Sequence, residues 1–269
     1  MKTVFITGTS SGIGRETAKL FHKNGWNVIA TMRTTIKEME LNKLENVKVL
    51  QCDVTNHDSI RTAINDGISA FCKIDVLVNN AGIYTTNPLE KVSDETITAV
   101  VETNIKGTLF MTKAIIEHFR ENKSGTIVNI SSIAGRVTFP FQSIYHTSKW
   151  AIEGFSESLY YELKQLNIRV KIVEPGMVKT NIYNSVMAFP IEQYPNEYQT
   201  IFKKWHNYLL KNYNNGYSPR LDAETIYRAV NNRSSKLRYT SDFTTKMVFF
   251  LRSIFPLSVF QNIIKAIST

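Results

Sequence analysis

Thr3-Val4-Phe5-Ile6-Thr7-Gly8-Thr9-Ser10-Ser11-Gly12-Ile13-Gly14 is the stretch that decides the fold of this chain. Residues 3–6 are a short apolar, β-rich run and read as a buried strand. Three glycines follow directly, and beyond them Ala18, Leu20 and Phe21 mark the apolar positions of an amphipathic helix. Strand, glycine-rich turn and helix in that order make a cradle for a pyrophosphate. Glycines let the backbone turn tightly and approach the anion. The helix N-terminus adds N–H groups and the positive end of its dipole. The spacing is Gly-x-x-x-Gly-x-Gly rather than Gly-x-Gly-x-x-Gly. Many turns are glycine-rich, so the weight comes from the position between strand and helix.

Three later stretches repeat the logic. Ile74–Asn79 is a strand that runs into Asn80-Ala81-Gly82, Gly125–Ile130 runs into Ser131-Ser132, and Ile168–Val173 runs into Glu174-Pro175-Gly176. Each places small or polar residues just past the carboxyl end of a strand, where open α/β sheets bind ligands. Strands are expected near 2–7, 26–31, 47–51, 74–79, 125–130, 168–174 and 236–240. Helices are expected near 12–23, 57–72, 94–120, 143–166, 196–213 and 222–232. Such alternation predicts an α/β fold: a Rossmann-type doubly wound parallel sheet, helices on both faces, right-handed crossovers. No linker divides residues 1–269, so a single domain is expected.

Composition agrees with a globular protein, at 43% hydrophobic residues over 269 positions. The chain runs straight into a strand, so no signal peptide is expected. Cys52 and Cys72 form no disulfide framework and read as reduced packing residues of a cytoplasmic protein. The five histidines show no metal-ligand spacing, so no metal is expected. The net charge of +9 comes without a basic run or nucleic-acid motif, so no nucleic-acid partner is expected.

The chemistry centres on Ser143-Ile144-Tyr145-His146-Thr147-Ser148-Lys149. Four residues separate Tyr145 from Lys149, which puts both on one face if the segment is helical. A free tyrosine titrates near ~10 and is a poor acid or base at neutral pH. A nearby ammonium favours the phenolate, so the expectation is a Tyr145 pKa lowered by Lys149.

Together Thr7 to Gly14, Asp53, Asn79 to Gly82, Asn104, Ser132, Tyr145, Lys149, and Pro175-Gly176 with Thr180 resemble the single-domain short-chain dehydrogenase/reductase family. The matching pieces span residues 3–180. Ser156-Glu157-Ser158-Leu159 and the run Glu174 to Thr180 are most similar to the hydroxysteroid and retinol dehydrogenase branch. The resemblance implies an oxidoreductase moving hydride between a nicotinamide cofactor and a secondary alcohol, ketone or aldehyde. Tyr145 would be the acid/base, Lys149 would tune it and bond the nicotinamide ribose, and Ser132 would hold the reacting oxygen. Asn104 would help hold a water linking Lys149 to solvent. The cofactor side implied is Gly8, Ser10, Ser11, Gly12, Ile13 and Gly14 for the pyrophosphate, and Asp53 with Val54 for the adenine. Asn80, Ala81 and Gly82 would meet the adenosine half. Pro175, Gly176, Val178 and Thr180 would meet the nicotinamide half.

Cofactor choice is read from the second strand. An acidic residue about ~20 positions beyond the glycine loop binds the ribose 2′-hydroxyl of NAD. Here Trp26–Thr31 ends at Met32-Arg33, with Met32 in the acidic position. A guanidinium at Arg33 suits a 2′-phosphate, which favours NADP(H) and leaves NAD(H) possible. The rival reading, a cofactor-binding sensor without chemistry, requires loss of Tyr145, Lys149 or Ser132, and all three are present.

Residues 177–220 are expected to cover the substrate. They are rich in aromatics, including Tyr183, Phe189, Tyr194, Tyr198, Phe202, Trp205, Tyr208, Tyr213 and Tyr217. Tyr198, Ile201, Phe202, Trp205 and Leu209 fit one helical face. Phe139, Pro140 and Phe141 add an apolar wall, so a small hydrophobic carbonyl or alcohol is the expected substrate. Residues 242–269 are apolar with interspersed Lys246, Arg252 and Lys265. They either pack beside the lobe or lie peripherally in a membrane surface; the uncharged run is short of the ~20 residues a spanning helix needs. A homodimer or homotetramer pairing through the helices near 94–120 and 143–166 is the resemblance's last implication, with Phe155 and Leu159 facing either the partner or the sheet.

Overall fold

The computed structural model describes residues 1–186 and 191–268, so Phe189 and Pro190 of the expected lobe lie outside the described residues. Seven parallel strands form one sheet: β1 Thr3–Thr7, β2 Asn27–Met32, β3 Val47–Gln51, β4 Val76–Asn79, β5 Gly125–Ile130, β6 Ile168–Glu174 and β7 Arg238–Thr240. Their order is β3-β2-β1-β4-β5-β6-β7. The order reverses between β1 and β4, and there a crevice opens at the strands' carboxyl ends.

The pleat sorts the side chains into two cores. Val4 and Ile6 of β1 point to one face, where Phe21 of α1 (Gly12–Lys23) and Ile226 and Val230 of α7 (Pro219–Asn231) cover them. Trp26 is buried there too, edge-on to Phe21. Phe5 points to the other face, with Ile29, Leu77 and Ile127. α2 (His57–Phe71), α4 (Gly107–Glu121) and α5 (Ser143–Lys164) close that side through Ile60, Ile115, Phe119 and Leu163. Each such side chain, fully buried, contributes about 1.5–3 kcal/mol. Coverage on both faces explains why the strands read as continuous apolar runs. Leu159 is buried in this second core and Phe155 packs against it, so both face the sheet.

The structure departs from the expected elements in four places. The helix expected over 94–120 is α3 (Asp94–Val100), a π turn over Val101–Lys106, and then α4. The helix expected at 222 begins at Pro219, because Ser218 caps it and proline suits the first position. The strand expected at 236–240 shortens to Arg238–Thr240. The tail folds into two helices, α8 (Phe243–Ile254) and α9 (Leu257–Ser268), broken at Pro256. Asp242 caps α8 by accepting from the Thr245 amide at 2.8 Å. α9 packs on α6 (Asn196–Asn214), the main helix of the lobe.

Candidate active site

The glycine turn leaves β1 with Gly8 at φ +71° and Gly12 at φ +58°, values that side chains rarely adopt. Gly14 has a different reason. A Cβ there would lie 2.4 Å from the Gly8 carbonyl oxygen and 2.5 Å from Asn80 Nδ2. Ser11 precedes α1 in an extended conformation and makes no side-chain cap, and the first turn carries no acid. The first N–H groups of α1 therefore point, with the positive end of the dipole, at the site of an anion.

A cleft of about 300 Å³ runs along the carboxyl ends of the strands. It collects every expected site residue except Gly14 and Asn104, which are buried behind it. Arg33, Asp53 and Val54 lie toward one end; Ser132, Tyr145, Lys149 and Thr180 lie toward the other. Three details bear on the expected contacts. The amides of Asn80 and Ala81 both donate to Thr7 Oγ1 at 3.0 Å, so those N–H groups are already used. The Asn80 side chain pins the turn by donating to the carbonyls of Thr7 and Gly8 at 2.8 and 3.0 Å. One Asp53 oxygen accepts from the Thr55 amide and hydroxyl, which leaves the other for an adenine edge.

Cation supply around Arg33 was not legible in the sequence. Arg15 is committed to Glu38 and Glu40, at 2.6 and 2.9 Å. Burial alone would raise Glu38; bonds from Arg15 and from the Leu41 and Glu40 amides overcome it and hold the carboxyl at about 2. Arg33 itself is exposed at the cleft wall beside buried Met32. An elongated ligand with a phosphate at the ribose fits this donor set: glycine cradle, helix N-terminus, guanidinium, and no carboxylate in the position after β2.

Tyr145 and Lys149 stand on one face of α5, both almost fully buried. Lys149 Nζ donates to the Ile130 carbonyl at 2.9 Å and lies 5.7 Å from the Tyr145 ring centroid. Burial decides both titrations. It pushes Tyr145 up to about 12, with the Ser132 hydroxyl pulling the other way. It pushes Lys149 down to about 8, opposed by Glu153 one turn along. The expected lowering of Tyr145 by Lys149 is not seen: burial, the largest cause, raises the phenol. At neutral pH the pair is a phenol beside a mostly protonated amine.

Asn104 sits in the π turn, where a widened helix turn is frequent at functional sites. Its Nδ2 donates to the Ile83 carbonyl at 2.8 Å and to Ser148 Oγ at 3.0 Å, and its Oδ1 accepts from the Ile83 amide at 2.8 Å. Both donor hydrogens are consumed. The side chain is a clamp between α5 and the segment after β4, and its Oδ1 keeps one further acceptor position for the expected water.

Two buried acid clusters brace the site, and neither was foreseen. Glu174, just before Pro175, is pushed up to about 7 by burial and by Glu153, against Arg136 at 3.2 Å and Arg238 at 3.7 Å. Asp222 is pushed up to about 7 by burial. It accepts from Tyr217 Oη at 3.1 Å, and that oxygen in turn accepts from the Gly176 amide at 2.9 Å. The acid clusters thus fix both ends of the Glu174-Pro175-Gly176 turn.

Over the Tyr145 end of the cleft lies an aromatic wall. Tyr84 meets Tyr145 edge-on at 4.8 Å and Tyr183 at 4.9 Å. Phe139 stacks on Trp205 at 5.9 Å. Phe202, Trp205 and Leu209 of α6 turn inward as expected, whereas Ile201 is exposed. Tyr84 was missed, since nothing in its local sequence marks it. Among the described residues no group of three His, Cys, Asp or Glu side chains is placed to hold a metal, and both cysteines are unpaired.

The comparisons agree with this geometry. A family model described as short chain dehydrogenase matches residues 2–189. The chain is 38% identical over 220 residues to an uncharacterized oxidoreductase of Schizosaccharomyces pombe (80% of this chain, 90% of that one). It is 33% identical over 235 residues to a 3-ketodihydrosphingosine reductase of Bacteroides thetaiotaomicron (87% and 86%). A solved structure of ElxO with NADP bound matches with a TM-score of 0.74 at 28% identity, covering 91% of this chain and 99% of that one. With a seven-stranded parallel sheet, a glycine cleft at its switch point and a family match over residues 2–189, the chain belongs to the short-chain dehydrogenase family and is an oxidoreductase.

Proposed function

We propose that this oxidoreductase uses NADPH to reduce the keto group of a hydrophobic substrate. The observation that carries the reading is the convergence of Ser132, Tyr145 and Lys149 on the aromatic-walled end of the glycine cleft. When bound, the nicotinamide cofactor supplies the hydride. Tyr145, held as a phenol by its burial, donates its proton to the substrate oxygen as negative charge builds there. Ser132 donates a hydrogen bond to the same oxygen, in a site dry enough for that bond to count. Lys149, a cation fixed on the Ile130 carbonyl, favours the phenolate left behind. Tyr84, Tyr183 and Trp205 form the apolar wall, and the name of the Bacteroides relative supports a lipid ketone. We place the enzyme in the cytoplasm, as a homodimer or homotetramer paired through α4 and α5, a state light scattering measures. The test of function is a panel of hydrophobic ketones assayed with NADPH and with NADH. Turnover faster with NADPH and rising with substrate apolarity supports the reading; no oxidation of either cofactor by any ketone overturns it.

Two expectations follow directly. Arg33→Ala weakens NADPH by roughly tenfold or more and leaves NADH nearly unchanged, since a charge-assisted contact is worth about 1.5–3 kcal/mol. Equal losses for both cofactors in a binding titration would show that Arg33 does not read the 2′-phosphate. The second is a pH profile. Lys149 titrates at about 8, so its ammonium disappears as pH rises through that value. Turnover at saturating cofactor falls over the same window. A profile flat from pH 7 to about 10 would mean the Lys149 charge is not used.

A further inference from the structure

We propose that the hairpin of α8 and α9 lies on the surface of an anionic lipid bilayer. α8 is apolar on two opposite faces. Val248 and Phe249 turn inward, where Phe249 packs with Val137 and Phe260. Phe243, Met247, Phe250 and Ile254 recur at steps of four, three and four residues, one stripe of the helix. They are exposed by 73%, 40%, 57% and 53%. Phe255, Leu257, Val259 and Ile263 continue the exposed apolar surface through the bend and along α9. A surface helix needs one apolar face to hold it to its domain. A second, contiguous one of this size marks a binding surface.

Charge identifies what binds there. Residues 243–269 carry three cations and not one Asp or Glu: Lys246 is exposed beside the apolar stripe, and Arg252 and Lys265 stand at the second cleft. Anionic headgroups complement that balance. Geometry sets the mode of contact. Each helix has twelve residues, about 18 Å long, against a hydrocarbon core of about 30 Å. Among the described residues no helix is long and apolar enough to cross a membrane. An amphipathic hairpin broken at Pro256 therefore lies in the plane of the interface.

The placement connects to the active site. A second cleft, of about 540 Å³, separates α9 from the segment after Ser132 and is lined by Phe139, Trp150, Leu257 and Phe260. Phe139 also stacks on Trp205 of the substrate wall. A substrate dissolved in the bilayer would reach Tyr145 past Phe139. This route rests on the hydrophobic-substrate reading; the docking does not.

Flotation of the full chain with vesicles tests the docking without any activity readout. Wild type is expected to float with vesicles of phosphatidylcholine and phosphatidylglycerol, less at high salt, and weakly with phosphatidylcholine alone. The double variant Phe250→Glu, Ile254→Glu should bind about tenfold less or weaker still. Because both positions are exposed, its melting temperature and its NADPH affinity should match wild type; Phe250→Ser with Ile254→Ser serves if they do not. Failure of wild type to float, or equal flotation of the variants, overturns the proposal. Light scattering in which the variants split a wild-type dimer that never floated would assign the face to a second copy and equally overturn it.

Discussion

Tyr145→Phe binds NADPH within a few-fold of wild type and turns over about 10²–10⁴ times more slowly. The substitution removes one hydroxyl and nothing else. The ring keeps its edge contact with Tyr84 and its place among Ala134, Trp205 and Leu209. Lys149 stays anchored to the Ile130 carbonyl, so the cofactor side of the cleft is undisturbed. What disappears is the proton donor. Single-turnover rates with a ketone substrate, beside a fluorescence titration of NADPH, separate the two effects. Turnover near the wild-type level would remove Tyr145 from the role of acid.

Gly14→Ala should damage both stability and cofactor binding. The new Cβ would meet the Gly8 carbonyl oxygen at 2.4 Å and Asn80 Nδ2 at 2.5 Å. Neither neighbour can give way cheaply. The first is backbone, and the second is tied to two carbonyls of the same turn. Overpacking of this kind costs about 1–3 kcal/mol, and relief has to come from the turn that cradles the anion. A melting temperature lower by several degrees and at least about tenfold weaker NADPH binding are expected. Gly154→Ala is the control. Within one protomer no atom lies within 4 Å of its Cβ site on exposed α5 surface, so it should leave NADPH binding unchanged. Equal behaviour of the two variants would mean that the glycine turn tolerates far more than its geometry indicates.

The parts of this protein that were legible in sequence are those fixed by local pattern. A strand, a glycine turn and a helix occupy adjacent residues, and Tyr145 and Lys149 share a face because one helix carries both. What escaped depended on residues far apart. The Tyr145 pKa is set by how completely α6 and Tyr84 exclude water, and no four-residue spacing encodes that. The resemblance marked Asn104, but its bonds to Ile83 and Ser148 depend on the π turn that aims it. Arg15 meets Glu38 across twenty-three positions, and Asp222 reaches Gly176 only through Tyr217. Ile201 fitted the periodicity of α6 and still faces solvent, since a stripe has edges. The tail gave no clear helical period because α8 is apolar on both sides.

The three tryptophans divide the molecule among themselves, and this gives the protein its own optical probes. Trp26 is sealed in the core under α1, Trp205 stands in the substrate wall, and half-exposed Trp150 borders the cleft beside α9. Energy transfer to a reduced nicotinamide depends steeply on distance, so the quenching contributed by Trp205 reports filling of the catalytic end. If the hairpin docks as proposed and lipid enters the cleft beside α9, emission from Trp150 should shift toward the blue. Trp26, sealed in the core, keeps its surroundings when lipid binds. Replacing Trp150 or Trp205 by phenylalanine, one at a time, would split a single emission spectrum into separate readings of cofactor loading and membrane contact, with no dye attached to the chain.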